Sequence, residues 1–308
     1  MNNGSKLINP RIILTALFFL QLLVVAGCGH TTPSSVANPT HEPISLIIRC
    51  DDIGMCHAVN VALKQVLETD IPISASVMFA CPWYQEAVEI LKRYPQASVG
   101  VHLTLNAEWK NYRWSPVLGG SAVPSLVDSF GYFFPTRALL FANNPKTEEV
   151  ERELRAQIER ALTSGLRIDY LDYHMSTAVS TPELRLLVEK LAAEYGLGVS
   201  RYFGEKDVEG VYRAPVESKT DTLVKLMKAL KPGGPHLMVF HIGMETPEMD
   251  ALVDYNVTGL PNVSKHRHAE LKALTSPEFR ELHKERNVRL MTYRELIEKV
   301  GLQNMKRP

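Results

Sequence analysis

The sequence predicts an α/β fold, a (β/α) barrel of TIM type with about seven parallel strands. Three observations predict it. From residue 44 to residue 300, short apolar runs alternate with segments of helical period, as a parallel sheet with crossover helices requires. Neither GxGxxG nor GxxxxGK[ST] occurs, which removes the phosphate cradle of open nucleotide-binding sheets. Acids and histidines recur just after the apolar runs, at the carboxyl ends of the strands, which share one mouth in such a barrel.

Composition narrows the class. Among 308 residues, 34 Lys and Arg balance 34 Asp and Glu, so no basic excess exists to hold nucleic acid. A hydrophobic content of 45% is that of an ordinary globular protein. Cys28, Cys50, Cys56 and Cys81 form neither a CxxC metal pattern nor a disulfide framework. The last three read as small, partly buried thiols.

Lys6 and Arg11 precede an apolar run, Ile12 to Ala26, too short for a membrane span and suited to a secretory signal. Its end, Leu23-Val-Val-Ala-Gly-Cys28, resembles the bacterial lipoprotein signal, in which the cysteine is lipidated and becomes the mature N-terminus. The alternatives are a plain signal peptide and an uncleaved anchor, and both export the chain. With Gly29 after Cys28, the resemblance implies the periplasmic face of the outer membrane or the cell surface. Residues 1–27 are then signal, 28–43 a Thr-, Ser- and Pro-containing tether, and 44–308 the barrel domain.

The domain begins with Ile44-Ser-Leu-Ile-Ile-Arg-Cys-Asp-Asp-Ile-Gly54, a buried strand ending in two acids. Helical spacing follows over Cys56–Glu68, with Val59, Leu63, Val66 and Leu67 on one face. A strand at Ile73–Phe79, a helix at Trp83–Arg93 and a strand at Ser98–Leu103 come next. Asn106 to Pro145 is a long irregular region rich in aromatics, suited to a lid. Trp109, Tyr112, Trp114, Tyr132, Phe133 and Phe134 there either stack on sugar faces or form a satellite core. Thr147 caps a helix to Ser164. A strand at Arg167–Leu171 and a helix at Thr181–Tyr195, opened by Thr-Pro, follow. Then come a short strand at Gly198–Ser200, a helix at Lys219–Leu230 and a strand at His236–His241. A second loop covers Glu245–Lys265. Helices at Ala269–Leu274 and Pro277–Glu285, a strand at Val288–Leu290 and a helix at Tyr293–Val300 close the chain.

Asp51 and Asp52 follow the first strand, His102 ends the third, His174 follows the fourth and His241 the late one. One carboxylate with two imidazoles and open positions makes a divalent metal site. Paired acids raise one pKa unless a cation compensates. On an extended chain neighbouring side chains point opposite ways, so one acid is read as a metal ligand and the other as a proton carrier. Asp-Asp-x-Gly is also ordinary turn chemistry.

Arg49-Cys-Asp-Asp-Ile-Gly54, Gly100-Val-His-Leu-Thr-Leu105 and Leu171-Asp-Tyr-His174 resemble the motifs of the YdjC-like carbohydrate deacetylases. Arg267-His-Ala-Glu-Leu271 and Leu290-Met-Thr-Tyr-Arg-Glu-Leu296 are similar to that family's closing pattern. The resemblance covers roughly residues 44 to 300. It implies an irregular (β/α) barrel and hydrolysis of the acetamide of an N-acetylated sugar or oligosaccharide, with a divalent metal as cofactor. Asp52, His102 and His174 match the ligands, Asp51 the general base and His241 a late catalytic histidine, here in His-Ile-Gly243 where His-Pro-Gly is usual. Arg213, in Arg-Ala-Pro215, matches an arginine that braces the base in the wider polysaccharide deacetylases. Arg49 stands where Asn is common, and its default is a solvated side chain. Asp172 either orients a ligand histidine or closes a turn. Zinc and magnesium lead the candidate metals, with manganese, cobalt and nickel compatible. Two alternatives keep parts of this picture: a metal hydrolase of another amide or ester, and a silent glycan-binding lipoprotein.

Overall fold

Strand β1 (Ile44–Ile53) is buried along nearly its whole length and organises the sheet. The computed structural model describes residues 44–308; the signal and tether expected at 1–27 and 28–43 lie outside the described residues. Ile44, Leu46, Ile47, Ile48 and Cys50 are all buried, the two-faced apolar character of a central parallel strand. One edge of β1 pairs with β7 (Pro235–Phe240), from Ser45 opposite Pro235 to Cys50 opposite Phe240. The other edge is shared. β8 (Val288–Met291) takes Ile44 to Ile47, and β2 (Ser74–Val77) takes Arg49 to Ile53.

From β2 the sheet continues through β3 (Ser98–Leu103), β4 (Tyr170–Tyr173) and β5 (Gly198–Val199); beyond β7 lies β6 (Lys206–Asp207). Every pairing is parallel. Seven strands follow the order β5-β4-β3-β2-β1-β7-β6, with β8 added on β1. Among the described residues no pairing joins β5 to β6, so the sheet curls as an open half-barrel. Gly100 in β3 faces the Tyr170 ring; a Cβ there would lie 2.4 Å from it, so only glycine lets the ring pack.

The crossover helices are α1 (His57–Leu67), α2 (Tyr84–Lys92), α4 (Thr147–Thr163), α5 (Pro182–Tyr195), α6 (Lys219–Ala229), α8 (Val263–Thr275) and α9 (Pro277–Glu285), and α10 (Tyr293–Val300) follows the last strand. Two short helices, α3 (Arg137–Ala142) and α7 (Pro247–Asp250), lie in the long connections. Thr181 caps α5 as its Thr-Pro opening requires, accepting from the Leu184 N–H. Thr147 is the first residue inside α4, after Lys146 at the cap. Among the described residues no helix is long and apolar enough to cross a membrane.

β6 and α7, too short to show a period, have no counterpart in the sequence expectation, and three further regions differ from it. α8 begins at Val263 instead of Ala269, because its inward face carries Arg267 and Glu270 in place of apolar residues. β4 begins at Tyr170 and reaches Tyr173, which brings Asp172 into the strand. The 106–145 region holds α3 and buries Trp109, Trp114 and Phe133 in the main core. Its backbone is pinned from α4: Glu153 accepts from the N–H groups of Val117 and Leu118, and Glu149 from that of Ser125. Those N–H donors, which no helix or strand pairs, thereby find side-chain partners.

Candidate metal centre and cleft

β1 changes its register with β2 between Cys50 and Ile53, and Asp52 takes a left-handed φ of 61°. Such a bulge re-aims side chains at a strand end. The alternation expected of Asp51 and Asp52 on a regular strand therefore fails, and both carboxylates reach the His102 ring. Asp52, His102 and His174 present ligand atoms within 4.8 Å of one another, and so do Asp51, His102 and Asp172.

Asp52 divides its two oxygens. Oδ1 lies 3.1 Å from His174 Nδ1 and 3.4 Å from His102 Nε2. Oδ2 accepts from Arg267 Nη2 at 2.5 Å. Each histidine has a carboxylate on its outer nitrogen. His102 Nδ1 is 3.0 Å from Asp172 Oδ1, a neighbour set by register, since His102 lies opposite Asp172 in the β3–β4 pair. His174 Nε2 is 2.9 Å from Glu108 Oε2. Such pairs fix the ring orientation and the tautomer of ligand histidines. The chain after His174 continues through Met175 and Ser176 with φ of 49° and 58°. Two successive left-handed non-glycine residues cost about 1–3 kcal/mol each, strain of a kind concentrated at functional sites.

Arg49 is not solvated. It is 2% exposed, and its Nε and Nη2 donate to the two oxygens of Asp51 at 2.7 Å each. The reason is the strand period: residues 49 and 51 share one face. Arg49 Nε also lies 3.2 Å from Asp172 Oδ2, and Nη1 donates to Ser200 Oγ at 2.6 Å.

Burial opposes ionisation of Asp51, and Arg49, with His102 and His241 beyond it, overcomes that cost and lowers its pKa. Burial likewise opposes ionisation of Asp52, and Arg267 with the two histidines holds it well below the usual carboxylate range. Two guanidiniums thus supply the compensation that paired acids require. Burial disfavours a charged His102, but Asp172 and Asp51 raise its pKa to about 9. Burial also works against a charged His174, and Glu108 and Asp52 raise its pKa to about 10. The buried thiols of Cys50, Cys56 and Cys81 are raised by desolvation, which leaves them unreactive.

His241 follows Phe240, the partner of Cys50, so neighbouring strand ends set His241 beside Asp51. Both line a cleft of about 500 Å³, together with Arg49, Tyr173, Met175 and Tyr212. The His241 ring lies 5.0 Å from that of Tyr212. Arg213 is exposed on the same wall and forms no ion pair among the described residues. The contact to Asp51 expected of Arg213 is made by Arg49, two residues away on the same strand. Asp172 lies against His102 on the neighbouring strand, its Oδ1 3.0 Å from Nδ1.

Sequence reasoning passes over Glu108 and Arg267. Glu108 sits in the irregular region, where no period marks it. Arg267 stands in the closing motif, and that motif is the one signal that points to it.

A family model described as YdjC-like protein matches residues 45–285. A carbohydrate deacetylase of Brevibacillus brevis is 29% identical over 265 residues, covering 82% of this chain and 100% of the relative. One from Enterococcus faecalis is 29% identical over 269 residues, covering 82% and 97%. A crystal structure from Enterococcus faecalis V583, described as a candidate cellobiose-phosphate cleavage protein, aligns with a TM-score of 0.68 at 25% identity. That alignment covers 82% of this chain and 99% of the other.

Proposed function

The chain belongs to the YdjC-like family, and on that premise we propose that it is a metal-dependent carbohydrate deacetylase. Its substrate is an N-acetylated sugar of the chitooligosaccharide kind, and its products are acetate and a free amino sugar. The observation that carries this reading is the convergence of Asp52, His102 and His174 beside a cleft that Asp51 and His241 share.

The donor set fits a divalent cation. Asp51, Asp52, Glu108 and Asp172 are buried with two guanidiniums, Arg49 and Arg267, so the cluster carries two negative charges when both imidazoles are neutral. A 2+ ion balances that charge, and otherwise protons on His102 and His174 do so. Asp52, His102 and His174 would hold the ion, with zinc or magnesium first among the candidates. When bound, such an ion supplies a water of lowered pKa and a positive charge for the amide oxygen.

The remaining work falls to the chain's own side chains. Asp51, kept ionised by Arg49, accepts the proton of the attacking water. His241 gives a proton to the nitrogen of the departing amine. Asp172 and Glu108 keep the ring nitrogens of His102 and His174 turned toward Asp52. A lipid on Cys28 holds the domain to the membrane outside the cytoplasm.

The test is metal content and acetate release by the purified full chain, beside an Asp52→Ala variant. Stoichiometric metal and acetate from N-acetylglucosamine oligomers, both lost in the variant, support the reading. Metal without acetate moves the reading to another amide or ester, and no metal under any loading removes the hydrolase altogether.

A further inference from the structure

Lys219, at the start of α6, is a lysine with 1% exposure, and Glu270, inside α8, has none. Their charged atoms are 3.1 Å apart. A buried ion pair is a weak source of stability, because desolvation of both charges offsets their attraction. The partners of this pair beyond each other point to a different role. Lys219 Nζ donates to the carbonyls of Val211 at 2.7 Å and Tyr212 at 2.8 Å, so with Glu270 all three ammonium donors are used. The other oxygen of Glu270 accepts from the backbone N–H of His241 at 2.7 Å. Val211, Tyr212 and His241 all line the cleft.

We infer that the Lys219–Glu270 pair is a positioning device that locks the His241 turn to the Val211–Tyr212 wall of the cleft. The two segments come from separate connections and touch across the cleft wall through the Tyr212 and His241 rings. The turn carries Ile242 after His241 and so has no proline ring to fix φ there. It is held from outside: Glu270 grips residue 241, and the carbonyl of Arg267, one turn earlier on α8, accepts from the Gly243 N–H. One helix thereby fixes both Asp52, through the Arg267 side chain, and the aim of His241, through Glu270. The pair sets the relative position of the proton donor and the wall against which the substrate lies. This inference rests on the reading of His241 as the proton donor.

The experiment uses the full-length chain, loaded with zinc, and a K219M/E270L variant in which apolar side chains of similar volume replace the pair. The His241 ring signals are followed by heteronuclear NMR and assigned with a His241→Gln control. The double variant is expected to take up zinc as the parent does and to melt lower, because the Val211 and Tyr212 carbonyls and the His241 N–H lose their partners. Its His241 signals are expected to shift and broaden, and kcat and kcat/KM to fall together by about 10²-fold, the cost of a misplaced group. A folded double variant with parent-like His241 signals and parent-like kcat overturns the inference. Should the double variant not fold, Glu270→Gln, which keeps the shape and removes the charge, is read in the same way: displaced signals support positioning and unchanged signals overturn it. A parent that releases no acetate counts against the deacetylase reading alone, because the ring signals still decide the positioning.

Discussion

Arg49 holds both oxygens of the Asp51 carboxylate, Nε to Oδ1 and Nη2 to Oδ2, each at 2.7 Å. A fork of this geometry is available to arginine and not to lysine. It keeps the acid ionised in a site where burial alone would protonate it. Arg49→Met therefore raises the Asp51 pKa, and the acid limb of the kcat/KM profile moves to higher pH. Breaking a buried pair costs about 3–5 kcal/mol, so the melting point falls as well. Arg49→Lys keeps the charge and shifts the limb less. An acid limb that stays put in a folded Arg49→Met protein would sink Asp51 as the base.

Among the described residues the Glu108 carboxylate hydrogen-bonds to His174 alone, by the 2.9 Å contact at Nε2. Carboxylates placed this way raise ligand basicity and fix the ring. Glu108→Gln keeps one acceptor oxygen and removes the charge. Metal affinity, measured by competition with a chelating dye, should fall by about 10–100-fold, the usual cost of losing such a partner. Asp172→Asn should act in the same direction through His102. Affinity equal to the parent in both variants would mean that the two carboxylates only fill space.

What the sequence makes legible depends on whether a residue's partner is local. Strand-end positions for Asp51, Asp52, His102, His174 and His241 are readable because each follows an apolar run, and the run fixes which end is which. The bulge at Asp52 is not readable, since its left-handed backbone breaks the period-two rule without a glycine to mark it. Arg49 reads as solvated although Asp51 shares its face of the strand, because the groups that bury it, Asp172 and Ser200, come from distant segments. Arg267 and Glu270 lie three apart on one face of α8, but that face is charged. A buried charged face has the same sequence pattern as a solvated one, so both the start of the helix and its role escape periodicity.

The apolar run before Leu23-Val-Val-Ala-Gly-Cys28 leads to a prediction about location. If Cys28 carries the lipid, Cys28→Ser moves the protein from the membrane fraction to the soluble fraction, with the domain still folded. Mass spectrometry of the mature N-terminus checks the same point. An unmodified N-terminus elsewhere would return the signal to the plain secretory kind.

The two histidines predict how the metal-free protein responds to alkali. Their ordinary pKa is 6.5, and the fold raises His102 to about 9 and His174 to about 10. Above pH 6.5 the unfolded chain has released these protons while the native chain still holds them, so stability falls as pH rises. The contribution is whole below pH 6.5 and is lost as pH climbs through 9 to 10. Asp51 and Asp52 act at the other end: their depressed values stabilise the fold above the ordinary carboxylate range, and that contribution is lost as pH falls through their folded values. A divalent ion displaces the histidine protons, because a ligand imidazole must be neutral. Melting points of chelator-treated protein should therefore decline steadily from pH 6.5 to 10, whereas metal-loaded protein should decline far less over that range. Calorimetric titration with metal near neutral pH should release close to two protons, seen as heats that change with the ionisation enthalpy of the buffer. A flat alkaline profile in the chelated protein, or heats indifferent to buffer, would show that His102 and His174 do not carry the charge that a metal replaces.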